Sequence, residues 1–281
     1  MPLLLTGLGI ITACSGPADP GDSETPGTIT INEEVSLTNT ELEKATNIFV
    51  MLPSPIQTIS LLQEAGADYD EAIINPAGEV SKYIDSKSQA INLGIYGADL
   101  GYATLYDQSQ QSILLISSAR KLADEIGISD AFNNGVISRV EANRDIQDSM
   151  VAIISDVYLV ANAQMKENNQ PHLAALVAAG GWIEGLYIGT QVAKRAANRQ
   201  GILTHIAEQK FLLNDLFALM NLYPGSQVEE IKSDLKPLKE IYASLPVTKT
   251  EGEVTTSESG VTTIGGSRKV ELSEENLTRI S

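Results

Sequence analysis

The chain has 281 residues with 36 acidic and 19 basic side chains, a formal net charge of −17. Nucleic-acid binding needs a basic stripe that displaces counterions, and none is present. The same sign argues against electrostatic docking on anionic lipid headgroups, so any hold on a membrane must come from another source.

That source is read at the start of the chain. The apolar run Leu3-Leu4-Leu5-Thr6-Gly7-Leu8-Gly9-Ile10-Ile11-Thr12-Ala13 closes on Cys14, the only cysteine. The run is too short to span a bilayer, which takes about 20 residues, and reads as the h-region of a signal peptide over 1–13. Ile11-Thr12-Ala13-Cys14 resembles the lipobox of bacterial lipoproteins. The resemblance implies cleavage before Cys14 and acylation there, so that acyl chains make the membrane contact. Each buried CH₂ contributes about 0.8 kcal/mol, and two or more chains anchor stably. No Lys or Arg precedes Cys14, which departs from such signals and is expected if translation starts upstream. With one cysteine no intramolecular disulfide can form, whatever the compartment.

Residues 14–35 include the stretch SGPADPGDSETPGTIT, rich in Pro, Gly, Ser and Asp, and read as a flexible tether. From there to about residue 246 the punctuation is helical. Thr38-x-x-Glu41 and Ser226-x-x-Glu229 have the form of capping boxes. Pro171 suits a first helical position and Pro224-Gly225 a helix stop. These marks predict helices near 38–51, 54–65, 79–107, 110–126, 130–142, 146–167, 171–197, 201–222 and 226–244. The aromatic fraction of 5% and the dominance of Ala, Leu, Ile, Gln and Glu suit helices better than sheets. The expected fold is all-α, a single multi-helix antiparallel bundle or stacked helical hairpins. The tail over 247–281 differs: 253–264 pairs two β-type runs about Ser259-Gly260, giving either a short hairpin or a disordered segment. Ser273 is placed to cap a last helix that the chain leaves after a turn or two, as if cut short.

Two helical segments stand out. Asp99 is the only charged residue in 88–106, and Glu184 the only carboxylate in 172–192. Helices apolar on every side belong inside a bundle, and the second is long enough to suggest a membrane span, though a central Glu would cost about 2.5–3.5 kcal/mol there. A buried helix is the better reading. Both carry small residues at helical spacing, Ala90, Gly94, Gly97 and Gly101 in one and Gly181, Gly185 and Gly189 in the other, where another backbone could come close. A weak similarity links Asp99-Leu-Gly-Tyr102 with Glu184-Gly-Leu-Tyr187, each ahead of an amphipathic helix, as two stacked hairpins would give.

A carboxylate among apolar neighbours must be paired, hydrogen-bonded or protonated. Candidate partners are Tyr96, Tyr102, Trp182, Tyr187 and Arg195, and Asp156 is a third acid in an apolar run. One possibility is that Asp99 and Glu184 converge as acid/base groups or cation ligands. The other, ranked ahead of it, is that each knits helices together through hydrogen bonds to Tyr, Trp or backbone. His172 is expected to be solvated at a helix start, and His205 to pair with Glu208 on a helix surface. No Glu-x-x-His pair, zinc-type Cys/His set, Walker loop, Rossmann fingerprint or Gly-x-Ser-x-Gly elbow occurs, so no metal, cofactor or catalytic residue is assigned.

Leu52-Pro-Ser-Pro-Ile56, Leu93-Gly-Ile-Tyr-Gly-Ala-Asp-Leu-Gly-Tyr102 and Gly180-Gly-Trp-Ile-Glu-Gly-Leu-Tyr187 resemble an uncharacterised family of helical lipoproteins from Bacteroidota. The resemblance covers roughly 52–223 and implies export and a helical domain, with no activity, cofactor or catalytic residue to carry over. Ser15 after the cysteine is similar to lipoproteins sent to the outer membrane, expected here ahead of the inner one. The expectation is a lipid-anchored cell-envelope protein, most simply a non-enzymatic binding or scaffolding module with an envelope protein as partner. The alternatives are a hydrolase or lyase using Asp99 and Glu184, and a small-ligand binder in the helical core beside Trp182.

Overall fold

The computed structural model describes residues 67–250, 254–256, 262–264 and 267–281. The signal segment, Cys14, the tether, the helices expected at 38–51 and 54–65, the Thr38 capping box and the Ser259-Gly260 turn lie outside the described residues.

After 3-10 turns at Glu71–Ile73 and Ala77–Lys82 come α1 (Ser86–Leu105), α2 (Ser109–Glu125), a 3-10 turn at Ser129–Phe132, α3 (Asn134–Asn143) and α4 (Gln147–Glu167). Then follow α5 (Pro171–Ala193), α6 (Gln200–Asn221), α7 (Ser226–Ser244), strands β1 (Val247–Thr250), β2 (Val254–Thr256), β3 (Thr262–Ile264) and β4 (Ser267–Val270), and α8 (Glu274–Ile280). The fold is all-α with a short antiparallel hairpin near the C-terminus. β2 pairs with β3, as the two β-type runs predicted, and β1 with β4 extends the hairpin outward. Ser273 caps α8 by accepting the Asn276 amide at 3.2 Å.

Three helix ends share one device. At Asp107, Gly127 and Asn169 the backbone turns left-handed, with φ of 55°, 79° and 56°. Each following amide then reaches back five residues, Gln108 to Ala103 at 2.8 Å, Ile128 to Ala123 at 2.9 Å and Gln170 to Met165 at 2.8 Å. This double closure satisfies carbonyls that a bare helix end leaves orphaned, and it needs Gly or a short Asn/Asp side chain to tolerate the left-handed residue. It folds α2 back on α1 and α5 back on α4.

Two expected helices are divided. The helix expected at 79–107 is a 3-10 turn followed by α1, because extended backbone at Tyr83 separates them and the Asp85 carboxylate caps the Ser88 amide at 2.9 Å. The one at 130–142 is likewise a 3-10 turn and then α3, restarted by the Asn133 side chain, which accepts the Gly135 and Val136 amides. The helix expected at 171–197 ends at Ala193, with Pro171 at its first turn as predicted. Gly225, not Ser226, is the N-cap of α7, and Glu229 of the expected capping box pairs instead with Lys232 at 2.6 Å.

The core lies where α1 crosses α5, the most extensive packing in the molecule, with α2 and α4 against α1 and with α4 and α6 against α5. α5 is long and apolar enough to cross a membrane by length and composition, yet 83% of its most apolar window is buried within the fold. Along the two central helices Ile91 meets Gly180, Gly94 meets Val177 and Gly181, and Asp99 meets Glu184. Thus α1 and α5 each open a helical hairpin, and the hairpins stack through their first helices, as the Asp99/Glu184 sequence similarity suggested.

Candidate functional site

Because α1 and α5 run alongside one another, their acids arrive together in the interior. Asp99 is 0% exposed and Glu184 6%. Their carboxyls are within hydrogen-bonding reach of each other. The two acids therefore converge, and Asp99 is also held by a backbone amide, as the first-ranked reading expected.

The third member of the site is Asn75, between the two 3-10 turns. Its backbone N–H donates to Asp99 Oδ2 at 3.0 Å and its side-chain Nδ2 to the same oxygen at 3.2 Å. The Asn75 side chain also offsets part of the rise in the Glu184 pKa. Neighbouring links run the same way. Tyr96 donates its hydroxyl to the Pro76 carbonyl at 2.9 Å, and the Tyr102 hydroxyl accepts the Asp70 amide at 3.0 Å. Asp99, Tyr96 and Tyr102 of α1 thus fasten the 67–85 segment, together with Gln89 at the Tyr83 carbonyl and Ser88 at Asp85. Tyr69 reinforces this by stacking on Tyr102 with ring centroids 5.1 Å apart, and Tyr106 closes the aromatic group at 4.9 Å from Tyr102.

Burial pushes both carboxyls above their ordinary range, because a charge there loses its water. Glu184 is raised further by the negative charge of Asp99. Asp99 is partly restrained by the two Asn75 hydrogen bonds, which favour its charged form. One oxygen of each, Asp99 Oδ1 and Glu184 Oε1, is buried with no donor among the described residues. Two ionised carboxyls are acceptors only, so a single proton held between them supplies the missing donor.

The other expected partners sit elsewhere. Trp182 Nε1 donates to Gln209 Oε1 of α6 at 2.8 Å. Tyr187 is 41% exposed, because it points away from the α1 crossing. Arg195 pairs with Asp70 rather than Glu184. Asp156 is not a buried acid: its side chain is 56% exposed and pairs with Arg139 at 2.8 Å. His205 contacts Gln209 Nε2 at 2.9 Å rather than Glu208, and His172 is half-buried rather than solvated. Burial lowers the pKa of both histidines.

Asn75 and Tyr69 were not singled out in the sequence. Asn75-Pro76 marks a turn, but nothing local says that the turn folds onto a carboxylate 24 residues away. An apolar cavity of about 60 Å³ opens between α1, α2, α4 and α5, lined by Leu93, Gly97, Ile116, Phe132, Tyr158 and Gly181 among others. Neither acid nor Trp182 is in its wall. Among the described residues no three His, Cys, Asp or Glu side chains gather to hold a metal ion. No family model, curated protein or solved structure matches the chain.

Proposed function

We propose that the chain is a lipid-anchored cell-envelope protein, exported and held by acyl chains on Cys14, whose helical domain acts as a non-enzymatic binding or scaffolding module for an envelope partner. The observation that carries the anchor is the apolar run ending Ile11-Thr12-Ala13-Cys14, followed by a Pro/Gly-rich tether and then a helical domain. The resemblance to helical lipoproteins of Bacteroidota supports export, with the outer membrane ahead of the inner. The burial of Asp99 and Glu184 supports a module without chemistry, since substrate would have to reach both carboxyls. Labelling cells with a clickable fatty acid tests the anchor. The wild type should be marked and move with membranes, and Cys14→Ser should be neither. Labelling of both or of neither removes the proposal.

One observation favours a second reading, a hydrolase or lyase: the two carboxyls do converge. Their seclusion ranks it behind. Turnover of a panel of aryl glycosides and esters by the wild type, lost in Asp99→Asn, would move it ahead. A small-ligand binder ranks behind as well, because ligand pockets run to about 300 Å³ or more and the cavity holds about 60 Å³ away from Trp182.

A further inference from the structure

We propose that Asp99 and Glu184 form a one-proton binding site that locks the 67–85 segment onto α1 and α5, and that loss of this proton releases the segment. The inference rests on hydrogen-bond accounting and does not depend on the lipid anchor. Asp99 Oδ2 is served twice by Asn75. Asp99 Oδ1 and Glu184 Oε1 are buried and unserved. A proton on Glu184, donated to Asp99, satisfies both orphans at once and leaves a single negative charge with three donors around it. Without that proton two negative charges face each other in a site sealed from water, and like charges at such range cannot both persist. The part of the enclosure that is not α-helical is the segment holding Asn75. It has two short 3-10 turns, fastened to α1 through Asn75, Pro76 and Asp70, to α2 through Ser118 at the Ala77 carbonyl, and to Arg195 beyond α5 through Asp70.

The surrounding groups leave the pair to titrate alone. From α1, Tyr96 faces it, and from the segment Tyr69, with Tyr83 beside Tyr96 and with Glu71 and Glu79 adding negative charge to that neighbourhood. Burial raises the tyrosine pKa values, for Tyr69 and Tyr102 to about 12, so these hydroxyls keep their protons across the relevant range. Asp70 is already matched by Arg195. On the α6 side of α5, burial lowers the pKa of His205, and it does the same to His172 at the start of α5. No cation is among the groups acting on either carboxyl.

The sign follows from linkage. Glu184 has an ordinary value of 4.5 and is raised to about 9 in the fold, so the closed state holds a proton that the open state gives up. Asp99, raised from 3.8 to about 7, gives up its own proton first, so between about 7 and 9 a single proton separates the states and the opening constant grows about tenfold per pH unit, levelling off above.

Amide exchange of the full chain from pH 7 to 10, above the value to which Asp99 is raised and corrected for the intrinsic rate, reads this at the Asn75 and Asp70 amides. In the wild type their protection should fall by up to about tenfold per pH unit and then flatten. In Glu184→Gln the amide donates to Asp99 at every pH, so protection should be flat. A wild-type profile without a slope, or the same slope in Glu184→Gln, overturns the proposal. Should that variant fail to fold, isotope-edited infrared spectra of the wild type decide. A protonated-carboxyl band present at neutral pH and lost at alkaline pH is required, and its absence at neutral pH overturns the proposal.

Discussion

Gly94 and Gly180 are each pressed against the other's helix: a Cβ on Gly94 would lie 2.0 Å from the Val177 carbonyl oxygen, and one on Gly180 would lie 2.0 Å from the Ile91 carbonyl oxygen. The contact is reciprocal and is backbone against backbone. It sets how closely α1 and α5 approach, and so whether Asp99 can meet Glu184 a few residues further along both helices.

Gly94→Ala and Gly180→Ala should therefore each destabilise the protein by about 3 kcal/mol or more, at or beyond the upper end for overpacking, because a carbonyl cannot swing aside as a side chain can. Gly97 is the control. It lies in the same helix with nothing within 4 Å of its missing Cβ, so Gly97→Ala should stabilise by about 0.5–1 kcal/mol through helix propensity. Denaturant melts of the three variants check both signs.

Asn75→Ala removes one of two donors to a buried, charged oxygen and should cost about 1–3 kcal/mol. Tyr96→Phe should cost only about 1 kcal/mol, because Pro76 is exposed and water can replace the lost hydroxyl at its carbonyl. Chemical denaturation should separate the two, and equal costs would mean that the Asn75 side chain does not serve the acid pair.

Trp182 donates to Gln209 Oε1, which fixes the orientation of that amide and turns its NH₂ toward His205 Nε2. His205 must then accept at Nε2 and stay neutral, in agreement with the lowering of its pKa by burial. For a histidine lowered in the fold, the stability it contributes is present above its ordinary value of 6.5 and is lost as pH falls below it. Since the chain has one Trp, its fluorescence reports this link directly. Emission should change as pH is lowered below about 6.5 in the wild type and stay level in His205→Gln.

The surface ion pairs predict small effects. Arg195→Ala removes the partner of Asp70 at a site where Arg195 is 59% exposed, and should cost under about 1 kcal/mol. Asp70→Ala should cost about 1 kcal/mol more, because Asp70 also caps the Ala72 amide at 3.0 Å. Asp156→Ala should stay within about 0.5 kcal/mol, consistent with its exposure. Thermal melts at two salt concentrations check the order.

Helix boundaries were legible wherever a local residue sets them. Pro171 opens α5 and Pro224-Gly225 precedes α7, which spans the expected 226–244. The splits before α1 and α3 were not legible, because Asp85 and Asn133 compete with helix continuation only once their side chains have turned onto amides three residues ahead. The glycine rows were half legible. Gly94 is a tight contact, whereas Gly97 faces open space and Gly189 has an ordinary 3.8 Å neighbour in Ile206. Gly180, which carries the other half of the contact, was outside the row.

The sequence alone determined that the domain is helical, that α1 and α5 lie inside it, and that Asp99 and Glu184 are the two acids needing an interior solution. Periodicity, composition and solvation energy act residue by residue, so these properties survive without knowledge of neighbours. Only the tertiary structure decided that the two acids answer each other, that Asn75 serves them, and that Trp182, Tyr187 and Arg195 do not. Those pairings depend on the angle and rise at which two glycine-notched helices cross, a property of the packed whole that no single stretch of chain contains.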